Sequence, residues 1–160
     1  MTTYNHFRDV PATLWRWPNF SPAEIACKGT GKLMVNADAL DRLQALRDAL
    51  GRPVILTSAY RSPEHNRRVG GAASSLHMQG TAFDMRMDNQ EPVAFEQAAR
   101  RAGFTGFGFY PRSGFMHIDT GRERTWGTRW PVPSPEAPGL PSEPEPAGFF
   151  AALLRLFRRT

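Results

Sequence analysis

One cysteine, Cys27, stands in 160 residues, and that scarcity removes two architectures at once. A disulfide framework within the chain needs a pair, so stability must come from packing and from any metal the chain holds. The closed, thiolate-rich ligand sets of structural zinc are equally out of reach. Long apolar runs are missing too, with nothing near the roughly 20 apolar residues that span a bilayer. Met1 to Asn19 has no basic start leading into an apolar stretch. That argues against a cleaved signal peptide and for synthesis as a soluble cytoplasmic protein. There is no internal repeat. Basic residues outnumber acidic ones, 20 to 15, for a net charge of +5, but the arginines are dispersed rather than gathered into a stripe with interleaved aromatics. Nucleic acid is therefore not an expected partner, whereas an acidic polymer or anionic surface suits the balance.

What is present is ordinary globular material, 41% apolar, enough for one domain with a modest core. Residues 1–20 read as an extended arm that lays Trp15, Trp17 and Phe20 onto that domain. Ser21-Pro22-Ala23-Glu24 combines a serine N-cap, a proline at the first helical position and a glutamate that closes a capping box, so a short helix starts here. Asn36 caps a longer one, in which Leu40, Leu43, Leu46 and Leu50 recur at helical spacing before Gly51 stops it. Val54 to Ser58 reads as a buried strand that delivers Tyr60 and Arg61 to its end. Pro63 to Val69 is one or two helical turns, and Gly70 to Ser75 a flexible loop. Thr81 to Met87 alternates as a strand, with Asp84 on the face opposite Phe83 and Met85. Asn89 is the expected cap of a helix stopped by Gly103. Phe107 to Tyr110 and Phe115 to Ile118 form a hairpin across Pro111 to Gly114. The domain spans 21–130. Residues 131–148, rich in proline, read as a solvated linker. Residues 149–160 read as a cationic amphipathic helix whose apolar face can meet anionic lipid, the domain or a second copy.

The chain has only four histidines, and two stand where they can share an ion. His77 and Asp84 flank the turn at Gly80. The best third ligand is His117, in the apolar run Phe115-Met116-His117-Ile118-Asp119, which places Asp119 on the same strand face. Two imidazoles and one carboxylate leave a fourth tetrahedral position open, the pattern of catalytic zinc. His65, among charged neighbours in a helical turn, is expected at the surface.

These residues resemble a known family. Ser75-Leu76-His77-Met78-Gln79-Gly80-Thr81-Ala82-Phe83-Asp84 is similar to the S-x-H-x-x-G-x-A-x-D signature of the D-Ala-D-Ala carboxypeptidase family of zinc peptidases. Ser58-Ala59-Tyr60-Arg61-Ser62-Pro63 resembles that family's S-G-Y-R-S-P segment, and Met116-His117-Ile118-Asp119-Thr120-Gly121 its closing H-x-D strand. The likeness is greatest to murein endopeptidases and phage endolysins, and it runs from about Phe20 to Trp126. It implies an α+β, hedgehog/DD-peptidase-like fold with helices flanking a small antiparallel sheet that carries the site.

The resemblance also implies one Zn2+ per chain on His77, Asp84 and His117, with Arg61 near the substrate and Ser75 and Tyr60 supporting the ligands or the substrate. Its reaction is amide hydrolysis in peptidoglycan peptides, at the cell envelope or periplasm after release or delivery, by an expected monomer. Several members carry a carboxylate three residues before the last histidine, as general base; here that residue is Gly114. Asp119 is the substitute, either taking the proton or only orienting His117. Two other readings stand beside the enzyme: a zinc-stabilised module that binds wall or partner without turnover, and a domain that merely carries a membrane-active tail.

Overall fold

A computed structural model describes residues 1–131 of the chain; the expected linker beyond Pro131 and the expected helix 149–160 lie outside the described residues. The architecture is α+β. A five-stranded sheet is built from β3 (Leu56–Ser58), β4 (Ala82–Arg86), β5 (Gly106–Tyr110), β6 (Phe115–Asp119) and β7 (Arg124–Gly127), in the order β3-β4-β6-β5-β7. Its pairings are antiparallel except β5 with β7, which is parallel. A separate two-stranded ribbon joins β1 (Thr2–Tyr4) to β2 (Leu33–Val35).

Alternation along the strands makes the core. Phe83 and Met85 of β4, Phe107 and Phe109 of β5, and Met116 and Ile118 of β6 share one sheet face and are almost wholly buried. Two helices meet that face, α2 (Ala37–Leu50) and α4 (Pro92–Arg101). They contribute Leu40, Leu43 and Leu46, and Phe95, Ala98 and Ala99, to the same apolar cluster. The opposite sheet face is thereby left for chemistry.

The helix starts obey capping. The short helix α1 (Pro22–Ile25) has a complete capping box between Ser21 and Glu24, and Asn36 accepts from the Ala39 amide at the head of α2. The helix α3 (Pro63–Arg68) begins at Ser62, which accepts from the His65 amide. Trp17 and Phe20 from the first twenty residues are built into the core, at 3% and 4% exposure.

Three expectations need correction. The strand expected over 54–58 is only the three-residue β3, at the sheet edge, with Ile55 exposed and a register irregularity between Leu56 and Ser58. Pro53 cannot donate to a ladder, which delays the pairing. Asn89 does not cap α4: its amide donates to the Pro53 carbonyl, while Glu91, immediately before Pro92, accepts from the Val93 and Ala94 amides. Finally, β7 extends the sheet beyond the hairpin, an element the alternation of four residues could not announce.

Candidate metal centre

Asp84 and His117 face each other directly in the β4–β6 register. That pairing places a carboxylate and an imidazole side by side on the face turned away from the core. His77 arrives from a 3-10 turn, Leu76–Gln79, which Gly80 closes with φ of +66°. A side chain at Gly80 would be strained there and would stand 3.1 Å from the Met34 carbonyl oxygen, so glycine sets where this turn can run.

The hydrogen bonds assign each imidazole its tautomer. His77 Nδ1 lies 2.6 Å from the Ala59 carbonyl oxygen, which can only accept, so Nδ1 carries the proton. His117 Nε2 likewise donates to Asp119 Oδ2 at 2.9 Å. The remaining nitrogens, His77 Nε2 and His117 Nδ1, are 3.2 Å apart. Around them stand Asp84 Oδ1, 2.8 Å from His117 Nδ1, and Asp84 Oδ2, 3.2 Å from His77 Nε2. Lone pairs are thus turned on one another and on a carboxylate, an arrangement that asks for a cation at its centre. The spacing suits one: ligands about 2.0–2.1 Å from a tetrahedral ion stand roughly 3.3 Å from each other. All three ligand atoms lie within 4.8 Å of one another, so the residues present fit a metal of the zinc type.

The electrostatics reinforce the set. Burial alone would raise the Asp84 pKa, but the His117 and His77 imidazoles beside it outweigh that and hold it well below the usual carboxylate range. Burial pulls His117 down, yet Asp119 and Asp84 raise it above its ordinary value. Asp119 is fully buried and held at about 2, its desolvation overcome by His117, Arg124 and the Gly121 amide. Both of its oxygens are occupied: Oδ1 accepts from Gly121 N at 2.8 Å and from Arg124 at 3.0 Å, Oδ2 from His117 and from Arg124 at 2.7 Å.

Arg61 is fixed nearby. Its guanidinium donates to Ser58 Oγ at 3.2 Å and Asn66 Oδ1 at 3.3 Å, and approaches Asp84 Oδ2 at 3.7 Å. Its backbone amide donates to the His77 carbonyl, tying the two loops together. Tyr60 is buried, and burial, with the Cys27 and Glu64 charges, pushes its phenol up. Ser75 contributes through its backbone, accepting from the Met78 amide, and its hydroxyl makes no cap to the turn. His65 packs its ring over Gly29, and its buried Nδ1 has no partner among the described residues. Gly114 ends the β5–β6 turn with open space around it.

Two neighbours escaped the sequence reading. Arg124 clamps Asp119 from behind, and Trp126 lies beside His117 with ring centroids 5.1 Å apart. Alternation along Arg124-Thr125-Trp126 puts both on the site face, but only the pairing of β7 with β5 brings them there.

The profile of the Peptidase M15 family matches residues 18–119. Peptidoglycan L,D-endopeptidase MepK of Escherichia coli is 36% identical over 99 residues, 58% of this chain and 54% of that protein. Zinc D-Ala-D-Ala carboxypeptidase of Streptomyces albus G is 39% identical over 89 residues, 53% of this chain and 35% of that protein. The chain therefore spans about half the length, or less, of these curated relatives.

Proposed function

The chain belongs to the Peptidase M15 family, and from that membership and the donor set on its sheet we propose that it is a zinc-dependent peptidase that hydrolyses amide bonds in peptidoglycan stem peptides or their crosslinks. Its α+β layout, with α2 and α4 on one sheet face and the triad on the other, is the DD-peptidase fold. The observation that carries the reading is the pair of bare imidazole nitrogens turned on the Asp84 carboxylate. His77 Nε2, Asp84 and His117 Nδ1 would hold the ion. When bound, zinc supplies a Lewis acid for the scissile carbonyl and an activated water.

The chain's own groups then have distinct tasks. Arg61, with its side chain only 17% exposed, offers a fixed cation to a peptide carboxylate or to the charge that grows on the carbonyl oxygen. Ser58 and Asn66 hold its fork in place, so little reorganisation is needed when charge develops. Asp119 has no free oxygen and lies behind His117, on the side of Nε2 rather than Nδ1. Its role is to keep that tautomer and ring orientation, which removes it as general base. The relatives' names, a peptidoglycan L,D-endopeptidase and a zinc D-Ala-D-Ala carboxypeptidase, support peptidoglycan peptides as the substrate class and the cell envelope as the place of action.

A second reading keeps the zinc but not the turnover: a wall-binding module. It is favoured by Gly114, which brings no carboxylate to the position of the usual base, together with the full occupancy of Asp119. One experiment separates the readings. Purified protein is analysed for metal and incubated with purified peptidoglycan, and the released fragments are read by mass spectrometry. About one zinc per chain with cleavage that a chelator stops is the expected result. Zinc with wall adsorption and no fragments selects the module, and absence of zinc overturns both.

A further inference from the structure

A single row of residues crosses the whole sheet on the site face: Ser58, Asp84, His117, Gly108 and Trp126, one from each strand. The metal ligands sit in the middle of that row. At one end Ser58 steadies Arg61. At the other end the indole of Trp126 leans back over β5, and this is possible only because residue 108 is glycine: a Cβ there would stand 2.6 Å from Trp126 Cε2. Two further contacts fix the ring, one of them backed by a stack behind it. Trp126 Nε1 donates to the Tyr110 hydroxyl at 2.8 Å. Tyr110 in turn stacks on Phe115, with centroids 4.4 Å apart and planes 12° from parallel. The Arg124 guanidinium lies 4.8 Å from the indole centroid. The indole remains partly exposed.

Resting on the peptidase reading, we propose that Trp126 is the specificity wall of the cleft on the side opposite Arg61, packing against the aliphatic side chain of a peptide residue next to the scissile bond. The scale agrees. The indole centroid is 5.1 Å from that of His117, and Arg61 Nη2 is 3.7 Å from Asp84. Each flank is therefore within about one to two residues' length of a metal ligand, given about 3.3–3.6 Å per extended residue. The chemistry divides the same way, with a charged fork on one flank for a carboxylate or carbonyl and an apolar plate on the other. A ring whose N–H is already satisfied and whose seat is pre-cut offers a large apolar area at low entropic cost.

The test uses short stem-type peptides in which glycine replaces the aliphatic residue on one flank of the scissile bond, then on the other. For each peptide, kcat/KM and the affinity by calorimetry are measured for the zinc-loaded wild type, Trp126→Ala, Trp126→Phe and Gly108→Ala. The wild type should prefer the aliphatic peptide about tenfold or more at one flank, the range a hydrophobic pocket gives for one side chain. Trp126→Ala should bring that ratio close to one and leave the other flank's ratio alone. Gly108→Ala, which displaces the indole without removing it, should act in the same direction, and Trp126→Phe should restore most of the preference. Zinc content of each variant shows that the triad is intact. Unchanged ratios at both flanks in Trp126→Ala overturn the wall. If the wild type cleaves nothing, the peptidase reading fails while the affinity ratios still decide the wall, and peptides neither cleaved nor bound overturn both.

Discussion

His117 serves two partners through two nitrogens, and the order of those bonds decides what the ring can do. Asp119, anchored by Arg124 and the Gly121 amide, takes the Nε2 proton and leaves Nδ1 for a ligand. Asp119→Ala should therefore weaken zinc binding about 10–100-fold in competition with a chromophoric chelator, although the residue never touches the ion; unchanged affinity would mean the ring is held by its strand alone. Protons are the other competitor. His117 is raised above its ordinary 6.5, and Asp84 is lowered from 3.8. In the metal-free chain the raised imidazole contributes stability that is complete below 6.5 and lost as pH rises through its folded pKa. The lowered carboxylate contributes stability present above 3.8 and lost as pH falls. Melts of chelated protein should thus peak between those values. Zinc, which needs the neutral imidazole, should move the maximum upward, and coincident profiles with and without metal would contradict the assignment.

At the scale of elements, the helices are held by what their apolar stripes meet. Leu43 is fully buried where α2 meets the sheet, so Leu43→Ala should cost about 2–5 kcal/mol in denaturant unfolding, with zinc stoichiometry retained. The stripe of α2 could be read in advance because helix period and caps are local. The three triad residues could be singled out because a turn glycine and an apolar strand are also local signals. What could not be read depends on distant neighbours. β3 is trimmed by its place at the edge, and β7 exists because Gly106 to Phe109 offers it a parallel partner. Tyr60 looked like a site residue from its place beside Arg61, and its phenol is buried. Arg124 and Trp126 acquire their roles only when β7 docks, since nothing in four residues specifies which strand they will lie against.

For the molecule as a whole, a ligand that binds only the folded chain adds stability by mass action. At a hundredfold excess over its dissociation constant zinc should add about 2.7 kcal/mol, or roughly 5–10 °C in melting temperature, and a chelator should remove the gain. A melt indifferent to metal would deny that the triad closes on an ion in the native state. No helix among the described residues is long and apolar enough to cross a membrane. The cross-sheet row bears on how the chain is made. His77 and Asp84 are translated well before His117, and Asp84 meets His117 only when β6 has come back to pair with β4 in the right register. A slip of one residue would turn His117 to the core side and bring Met116 or Ile118 out in its place. A nascent chain therefore holds two ligands and no active centre, and a misregistered sheet holds none. Hydrolytic power of this kind would be withheld until β6 is made and pairs with β4, with metal capture as the signal that the two strands are correctly aligned.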